Sequence, residues 1–214
     1  MSDDIERIIN IGSSNMEISK EEISSAQEMM NLAKSQIKKA KAMDDLKERE
    51  VEMAGIREKL AIKSRKLAEK KAELIQKGLI ETPQDIIDKE LERATYDENV
   101  AKIQTKIAQD SEQIANLEVE ISKLRIALAK ESLQVAKARG VLGKKQMNYA
   151  KMVNSGAPAE KIKAAKNSYV ESEENLVKEQ KDVSKKKDEI RLKEGKLREL
   201  QQKRSEKIAQ LNEA

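Results

Sequence analysis

Large apolar residues recur at steps of seven along most of the chain. In the C-terminal quarter this heptad series runs through Ile162, Tyr169, Leu176, Val183, Ile190 and Leu197, is interrupted by Arg204, and resumes at Leu211. A second series consists of Leu46, Met53, Leu60, Leu67 and Leu74. A denser series, with alternating steps of three and four, runs through Val100, Ile103, Ile107, Ile114, Leu117, Ile121, Leu124 and Leu128. A repeat of seven keeps an apolar line facing a partner only when helices supercoil, so the pattern predicts coiled-coil helices.

Two breaks interrupt this pattern, and each contains one of the two prolines of the chain. At the first break, Gly78 can end a helix, Thr82 can cap the next one, and Pro83 suits a first helical position. At the second break, Gly156 and Pro158 repeat the arrangement. We therefore predict three long helices, over about 19–77, 83–153 and 158–212.

A short N-terminal segment precedes the first predicted helix. Ser19 and Glu22 have the spacing of a capping box, which predicts that the helix begins there. Upstream, Ile5, Ile8 and Ile9 would share one side of a short amphipathic helix, whose acidic polar side disfavours a lipid anchor. We predict that residues 1–18 dock to a partner or cap the bundle, and that 19–214 form one elongated coiled-coil bundle.

The composition leaves little material for a globular core. Of the 214 residues, 38% are charged and 1% are aromatic, and Phe, Trp, His and Cys do not occur. Such a composition is typical of long helices, so we predict an all-α fold of three antiparallel coiled-coil helices joined as hairpins. The two outer helices carry little more than one large apolar residue per heptad, which favours self-association.

The distribution of charge predicts how the helices pair. Residues 34–71 carry thirteen Lys and Arg against seven acidic residues, and residues 180–207 carry eleven against six. Residues 84–122 reverse the balance, with four basic and ten acidic residues. If the breaks are hairpin turns, unlike charges lie side by side. Each exposed pair contributes only a fraction of a kcal/mol, so we expect the charges to select orientation and partner.

Two acidic residues occupy positions of the second helix where the apolar series predicts a buried side chain. These are Asp110 and Glu131. A polar residue at such a position can fix the register of a coiled coil at a cost in stability. We expect instead that both lie at the edge of the packed face, where water reaches them.

The sequence offers little for catalysis. Nucleophilic or metal-assisted chemistry has neither His nor Cys to use, and neither a phosphate-binding loop motif nor a dinucleotide fingerprint occurs. Carboxylates at helical spacing are solvated charges unless a pocket raises the pKa of one of them. We therefore predict a non-enzymatic protein without a cofactor or a metal site.

Two features bear on localisation. The acidic start, "MSDDIERIIN", differs from a secretory signal, and apolar runs fall well short of the ~18 residues that cross a bilayer. We expect a cytoplasmic or particle-associated protein.

Two classes of function are compatible with these features. The first is a structural or assembly protein, such as a scaffold, a filament or an accessory subunit, whose partners are other protein subunits or further copies of itself. Its docking candidates are Leu79, Ile80, Ile5, Ile8 and Ile9. Leu79 and Ile80, at the first turn, either fold back onto Leu74 or dock into a partner.

The alternative is a binding module for an anionic surface, either a lipid membrane or nucleic acid. Acidic residues interleave with the basic ones, and a platform of stacking aromatic residues is missing, so specific nucleic-acid recognition is disfavoured. The candidate residues for this function are the cations Lys185, Lys186, Lys187, Arg191, Lys196, Arg198, Lys203 and Arg204.

Overall fold

The structure, a computed structural model, describes residues 2–213, which are helical apart from the two breaks. The helices are α1 (Ser2–Gln76), α2 (Gln84–Asn154) and α3 (Ala159–Glu213). Within 2–213 there is no β-strand, so the all-α prediction with three long helices is confirmed. Met1 and Ala214, at the outer ends of the two predicted segments, lie outside the described residues.

The start of the first helix differs from the prediction. α1 begins at Ser2, and Ser19 lies well inside it. The hydroxyl of Ser19 is buried and donates a hydrogen bond to the backbone oxygen of Ala136, at 2.7 Å. The predicted helix start at Ser19 is therefore wrong, because this hydroxyl makes a contact between helices instead of a cap. Whether residues 1–18 dock to a partner stays a prediction.

The first turn has the geometry that its glycine and proline predict. Gly78 has a φ of 68°, a left-handed conformation that favours glycine. Its N–H donates to the oxygen of Ile75 at 2.8 Å, and the N–H of Leu79 donates to the oxygen of Leu74 at 2.9 Å. These two bonds form a Schellman motif, which satisfies carbonyls at the end of α1. Pro83 directly precedes α2.

The second turn has the same glycine conformation and the same hydrogen-bond pattern as the first. Gly156 has a φ of 64°, its N–H donates to Val153, and the N–H of Ala157 donates to Met152. Pro158 directly precedes α3. Both turns therefore lie where the sequence predicts them.

The described residues divide into two compact units. Unit 1 comprises residues 2–38 and 120–193, and unit 2 comprises residues 39–119 and 194–213. Each unit contains part of all three helices.

In unit 1, α1 and α2 contact each other along two lines of mostly small residues spaced seven apart. A Cβ added to Gly143 would lie 2.5 Å from the backbone oxygen of Gly12, so the two backbones meet too closely for a side chain at this point. Small residues permit such a close approach of helices. The α1 line is Ile5, Gly12, Ser19, Ala26 and Ala33, and the α2 line is Ser122, Ala129, Ala136, Gly143 and Ala150, all of them buried.

The α3 part of unit 1 packs on α2 through larger side chains. Leu176 forms a buried cluster with Ala138 and Leu142. Tyr169 packs against this cluster, and its ring stacks on that of Tyr149 with 5.8 Å between centroids. These two tyrosines therefore fill space between helices, whereas Tyr96 of unit 2 is exposed.

In unit 2 the same positions of α1 and α2 are again occupied by small residues. On α1, Ala40 and Ala68 are buried; on α2, Ala94, Ala101 and Ala115 are buried. The α1 series of Leu46, Met53, Leu60, Leu67 and Leu74 precedes the alanine line by one residue, which is a rotation of about 100° around the helix. All five residues are exposed, so this series does not lie in the contact between α1 and α2.

The other two heptad series do face inward. Leu176 and Ile190 of α3 are buried, and the other members of its series are half-buried. On α2, Ile114 and Ile121 are buried and the rest are half-buried. The inward orientation of these series is confirmed.

Ion pairs join the helices as the charge distribution predicts. In unit 2, Arg65 of α1 binds Glu98 of α2 at 2.5 Å. In unit 1, Lys193 of α3 binds Glu120 of α2, also at 2.5 Å. The antiparallel helices therefore place unlike charges together.

Asp110 differs from the expectation that water reaches it. Its exposed fraction is 8%, and it accepts a hydrogen bond from Lys207 Nζ of α3 at 2.6 Å. Its side chain is therefore packed and paired with Lys207 instead of surrounded by water, so the solvated interpretation is wrong for Asp110. Glu131, the other acidic residue of this kind, is half-buried.

Candidate assembly surfaces

An exposed apolar stripe on the unit 2 part of α1 is the main surface feature. Leu60 and Leu67 are each 58% exposed, although leucine usually lies inside a protein. Single exposed leucines need no explanation, but an aligned set of them marks an interaction surface. We call this set the basic stripe, after the charges at its edge; it comprises Leu46, Met53, Leu60, Leu67 and Leu74.

Lysines form the outer edge of the basic stripe. Lys63 and Lys70 are exposed and lie three or four residues from Leu60, Leu67 and Leu74, which makes them neighbours on the helix surface. Over residues 54–77 the chain carries eight Lys and Arg and three acidic residues. A helix that packs on this stripe would therefore meet positive charge along its side.

A second stripe lies on the unit 1 part of α1, at the same heptad position. Its members are Ile11, Ile18 and Leu32, whose exposed fractions are 43%, 38% and 61%. Exposed Glu17, Glu21 and Glu28 flank them, and residues 3–31 carry seven acidic residues and two basic ones. We call Ile11, Ile18 and Leu32 the acidic stripe.

The hairpin tip presents the two aliphatic residues that the sequence singles out. Leu79 is 68% exposed, and Ile80 and Leu74 are exposed as well. Even if Leu79 folds back onto Leu74, most of the Leu79 side chain remains in water. Leu79 and Ile80 are therefore accessible to a partner.

The three N-terminal isoleucine candidates differ in position. Ile5 is buried in the α1 line that faces α2, so it is not accessible for docking. Ile8 and Ile9 are half-buried, and Ile9 borders a shallow groove with Met147 of α2. The exposed isoleucines of this region are Ile11 and Ile18, which the docking candidates do not include. The heptad spacing to Leu32 is the signal that could have identified them.

The basic candidates of unit 1 have acidic neighbours on their own helix. Lys185 binds Asp182 at 2.9 Å, and this hydrogen bond holds the pKa of Asp182 below its usual value. Lys186 binds Glu189 at 2.7 Å, and Arg191 lies 3.9 Å from Asp188. Lys187 is exposed. Pairing within α3 weakens the positive surface that an anionic partner would need.

The basic candidates of unit 2 also differ from one another. Lys196, Arg198 and Lys203 are exposed, and Arg198 Nε donates to the backbone oxygen of Glu194 at 3.3 Å. Arg204 is half-buried, and its Nε has no hydrogen-bond partner. Arg204 therefore belongs to the packed face of α3, where it interrupts the heptad series, and not to an exposed strip.

A groove in unit 2 connects Arg204 with the basic stripe. Met53 of the stripe lines it together with Ile107 of α2 and with Arg204 and Leu211 of α3. The bond between Lys207 and Asp110 puts α3 and α2 in register here.

Glu98 holds the outer part of the hairpin together. Its carboxylate is largely buried and accepts a hydrogen bond from Lys102 Nζ at 2.5 Å and one from Arg65 Nε, also at 2.5 Å. The hydrogen bond from Lys102, followed by that from Arg65, holds the pKa of Glu98 below its ordinary value of 4.5. The contact between α1 and α2 in unit 2 thus contains an ion pair that depends on pH.

None of the helices within residues 2–213 contains an apolar segment long enough to cross a membrane. A scan against models of known protein families finds no match for this chain, and neither does a search of curated proteins.

Proposed function

We propose that this chain is a non-enzymatic structural or assembly protein, a coiled-coil scaffold, filament or accessory subunit that binds other subunits through α1 and the hairpin tip. The observation that carries the proposal is the exposure of the basic stripe. Five large apolar residues at one heptad position lie exposed on the surface of their own unit. In water they lose the stabilisation that burial would bring, about 1.5–3 kcal/mol for each fully buried side chain.

The packing of α1 on α2 supports this role. Because mostly small residues occupy the contact between the two helices, the residues of the basic stripe do not contribute to it. A helix whose large apolar residues face solvent is typical of a subunit whose partner binds there. The exposed Leu79 and Ile80 add a second contact at the tip.

The alternative function is binding to an anionic surface. Exposed Lys187, Lys196 and Lys203 favour it. The ion pairs of Lys185 and Lys186 and the packed position of Arg204 argue against it. Phosphate or lipid headgroup binding would depend strongly on salt, which separates the two functions experimentally.

Sedimentation velocity tests the proposal. We would compare the purified chain alone, with anionic liposomes and with duplex DNA, each at low and high salt. We expect oligomers without ligand. A monomer that binds liposomes or DNA at low salt and releases them at high salt would exclude the assembly function in favour of the alternative.

A further inference from the structure

We infer that the basic stripe of one copy packs on the acidic stripe of a second copy, with the two α1 helices antiparallel. This inference rests on the proposed assembly function and adds to it the partner, which is the same chain, and the register of the contact. Each chain carries one stripe of each kind, so a second copy supplies the complement of either.

The spacing of the two stripes limits the register to shifts of seven residues. Both occupy the same heptad position of α1, so in an antiparallel pair each step of seven along one stripe matches a step of seven along the other. In the register that the edge charges favour, Leu67 lies opposite Ile18 of the second copy. The other opposed positions are Leu74 with Ile11, Leu60 with Ser25, and Met53 with Leu32.

The charges at the edges favour the same register. Residues 54–77 carry eight basic and three acidic residues, and residues 8–31, which lie opposite, carry four acidic residues and one basic. On one edge, Lys63 approaches Glu21, while Lys66 and Lys70 approach Glu17. All five of these side chains are exposed in the single chain and so are accessible to a second copy.

The same charges disfavour the pairing of two basic stripes. Such a contact would place Lys63 and Lys70 of one copy against lysines of the other, and like charges across an interface oppose association. Complementary edges therefore select the basic–acidic contact over the basic–basic one. Another helical protein with an acidic-edged apolar line is the competing occupant, and the experiments below distinguish it.

Disulfide mapping tests the register directly, because the chain has no cysteine of its own. Chains with Leu67→Cys would be mixed with chains carrying Ile18→Cys and oxidised mildly. We expect cross-linked dimers that contain one chain of each kind. Leu67→Cys mixed with Leu32→Cys is the matched control, since those positions would be about 21 Å apart along the helix and should cross-link poorly.

Two results of this experiment would overturn the inference. One is efficient cross-linking of Leu67→Cys with itself, which would indicate contact between two basic stripes. The other is equal cross-linking in the mapped and control pairs, which would indicate random collision.

A charge reversal tests the edges. We would replace Lys63, Lys66 and Lys70 with Glu in one variant, Glu17 and Glu21 with Lys in a second, and combine all five changes in a third. A few exposed ion pairs change an association constant by about one order of magnitude. Each partial variant should therefore self-associate about tenfold more weakly at low salt, and the combined variant should recover the self-association of the unmodified chain. Failure of the combined variant to recover would contradict the register.

Two controls keep the outcomes separate. Lys185→Glu with Lys187→Glu makes a comparable charge change on α3 and should leave self-association unchanged, and circular dichroism should show full helicity in every variant. If the unmodified chain forms oligomers but neither mapping nor charge recovery follows the register, the inference fails and the assembly function stands. If the unmodified chain is monomeric at all concentrations, the inference fails, and the liposome and DNA experiment then decides the function.

Discussion

α1 and α3 carry the same sequence pattern and use it in opposite ways. Both have a large apolar residue at nearly every seventh position, yet the α3 series is buried or half-buried and the α1 series of unit 2 is exposed. The difference lies in a second line of residues. α1 has alanines directly after its large residues, at Ala54, Ala61 and Ala68, and those alanines face α2.

The comparison shows that size does not decide which line of a helix is buried. A line of small residues lets two helices approach closely along their whole contact, which increases the van der Waals attraction between them. When the opposite helix also presents small residues, this attraction outweighs the burial of one leucine per heptad. On α3 no such continuous small line exists, so its large residues make the contact.

The largest expected effect comes from truncating one leucine of each series. Leu176→Ala removes a buried side chain of α3 and should lower the free energy of unfolding by about 2–4 kcal/mol. Leu67→Ala removes an exposed one and should change it by less than about 0.5 kcal/mol. Urea denaturation at concentrations too low for self-association measures both. Equal losses would mean that Leu67 is buried within its own chain.

The close approach of α1 and α2 can be tested at its tightest point. Gly143→Ala places a Cβ 2.5 Å from the Gly12 oxygen, and the required shift of the helices should cost about 1–3 kcal/mol. Gly55→Ala is the matched control: its Cβ meets nothing within 4 Å, and the gain in helix propensity should stabilise the protein by up to about 1 kcal/mol. Thermal denaturation followed by circular dichroism gives both changes. Stabilisation by Gly143→Ala would contradict the contact.

Arg204 offers a way to complete the α3 series. Arg204→Leu removes an Nε that has no hydrogen-bond partner and restores the apolar residue that the heptad position calls for. We expect stabilisation of about 1 kcal/mol, the lower end of the cost of an unsatisfied buried group. Lys203→Leu, at the adjacent exposed position, should have almost no effect. The same denaturation experiment applies, and a loss of stability would show that Arg204 makes a favourable contact.

The smallest effect is the pH dependence contributed by Glu98. A pKa held below 4.5 in the folded chain stabilises the fold above that pH, and the stabilisation is lost as pH falls through the lowered pKa. Below pH 4.5 the melting temperature should therefore decrease more steeply for the native chain than for Glu98→Gln. Parallel curves for the two proteins would mean that Glu98 has an ordinary pKa in the folded state.

Local signals predicted the turns because short-range chemistry decides them. Gly78 and Gly156 adopt positive φ, and Pro83 and Pro158 precede helices, as their covalent structures favour. The predicted helix start at Ser19 was wrong because local spacing does not reveal distant contacts. The spacing of Ser19 to Glu22 matches a cap, but the Ser19 hydroxyl donates to the backbone oxygen of Ala136, 117 positions away.

The candidate surfaces were predicted only in part. Leu79 and Ile80 are accessible, whereas the sequence left open whether they fold back onto Leu74 or dock into a partner. Ile5 is buried and Asp110 is paired because each meets another helix, and such contacts depend on which faces of the helices are turned together. The basic stripe contains residues that heptad counting found, but counting did not show that another face of α1 packs on α2.

The amino-acid sequence by itself determined the helical class, the two turns, and the pairing of basic with acidic segments, because propensity, turn chemistry and net charge act over short distances or sum over long segments. Only the tertiary structure decided which heptad line of α1 is buried. That choice depends on matching small residues of α2, Ala94 and Ala101 among them, against those of α1. The leucines of α1 are therefore left at the surface, where the proposed second copy would bind them.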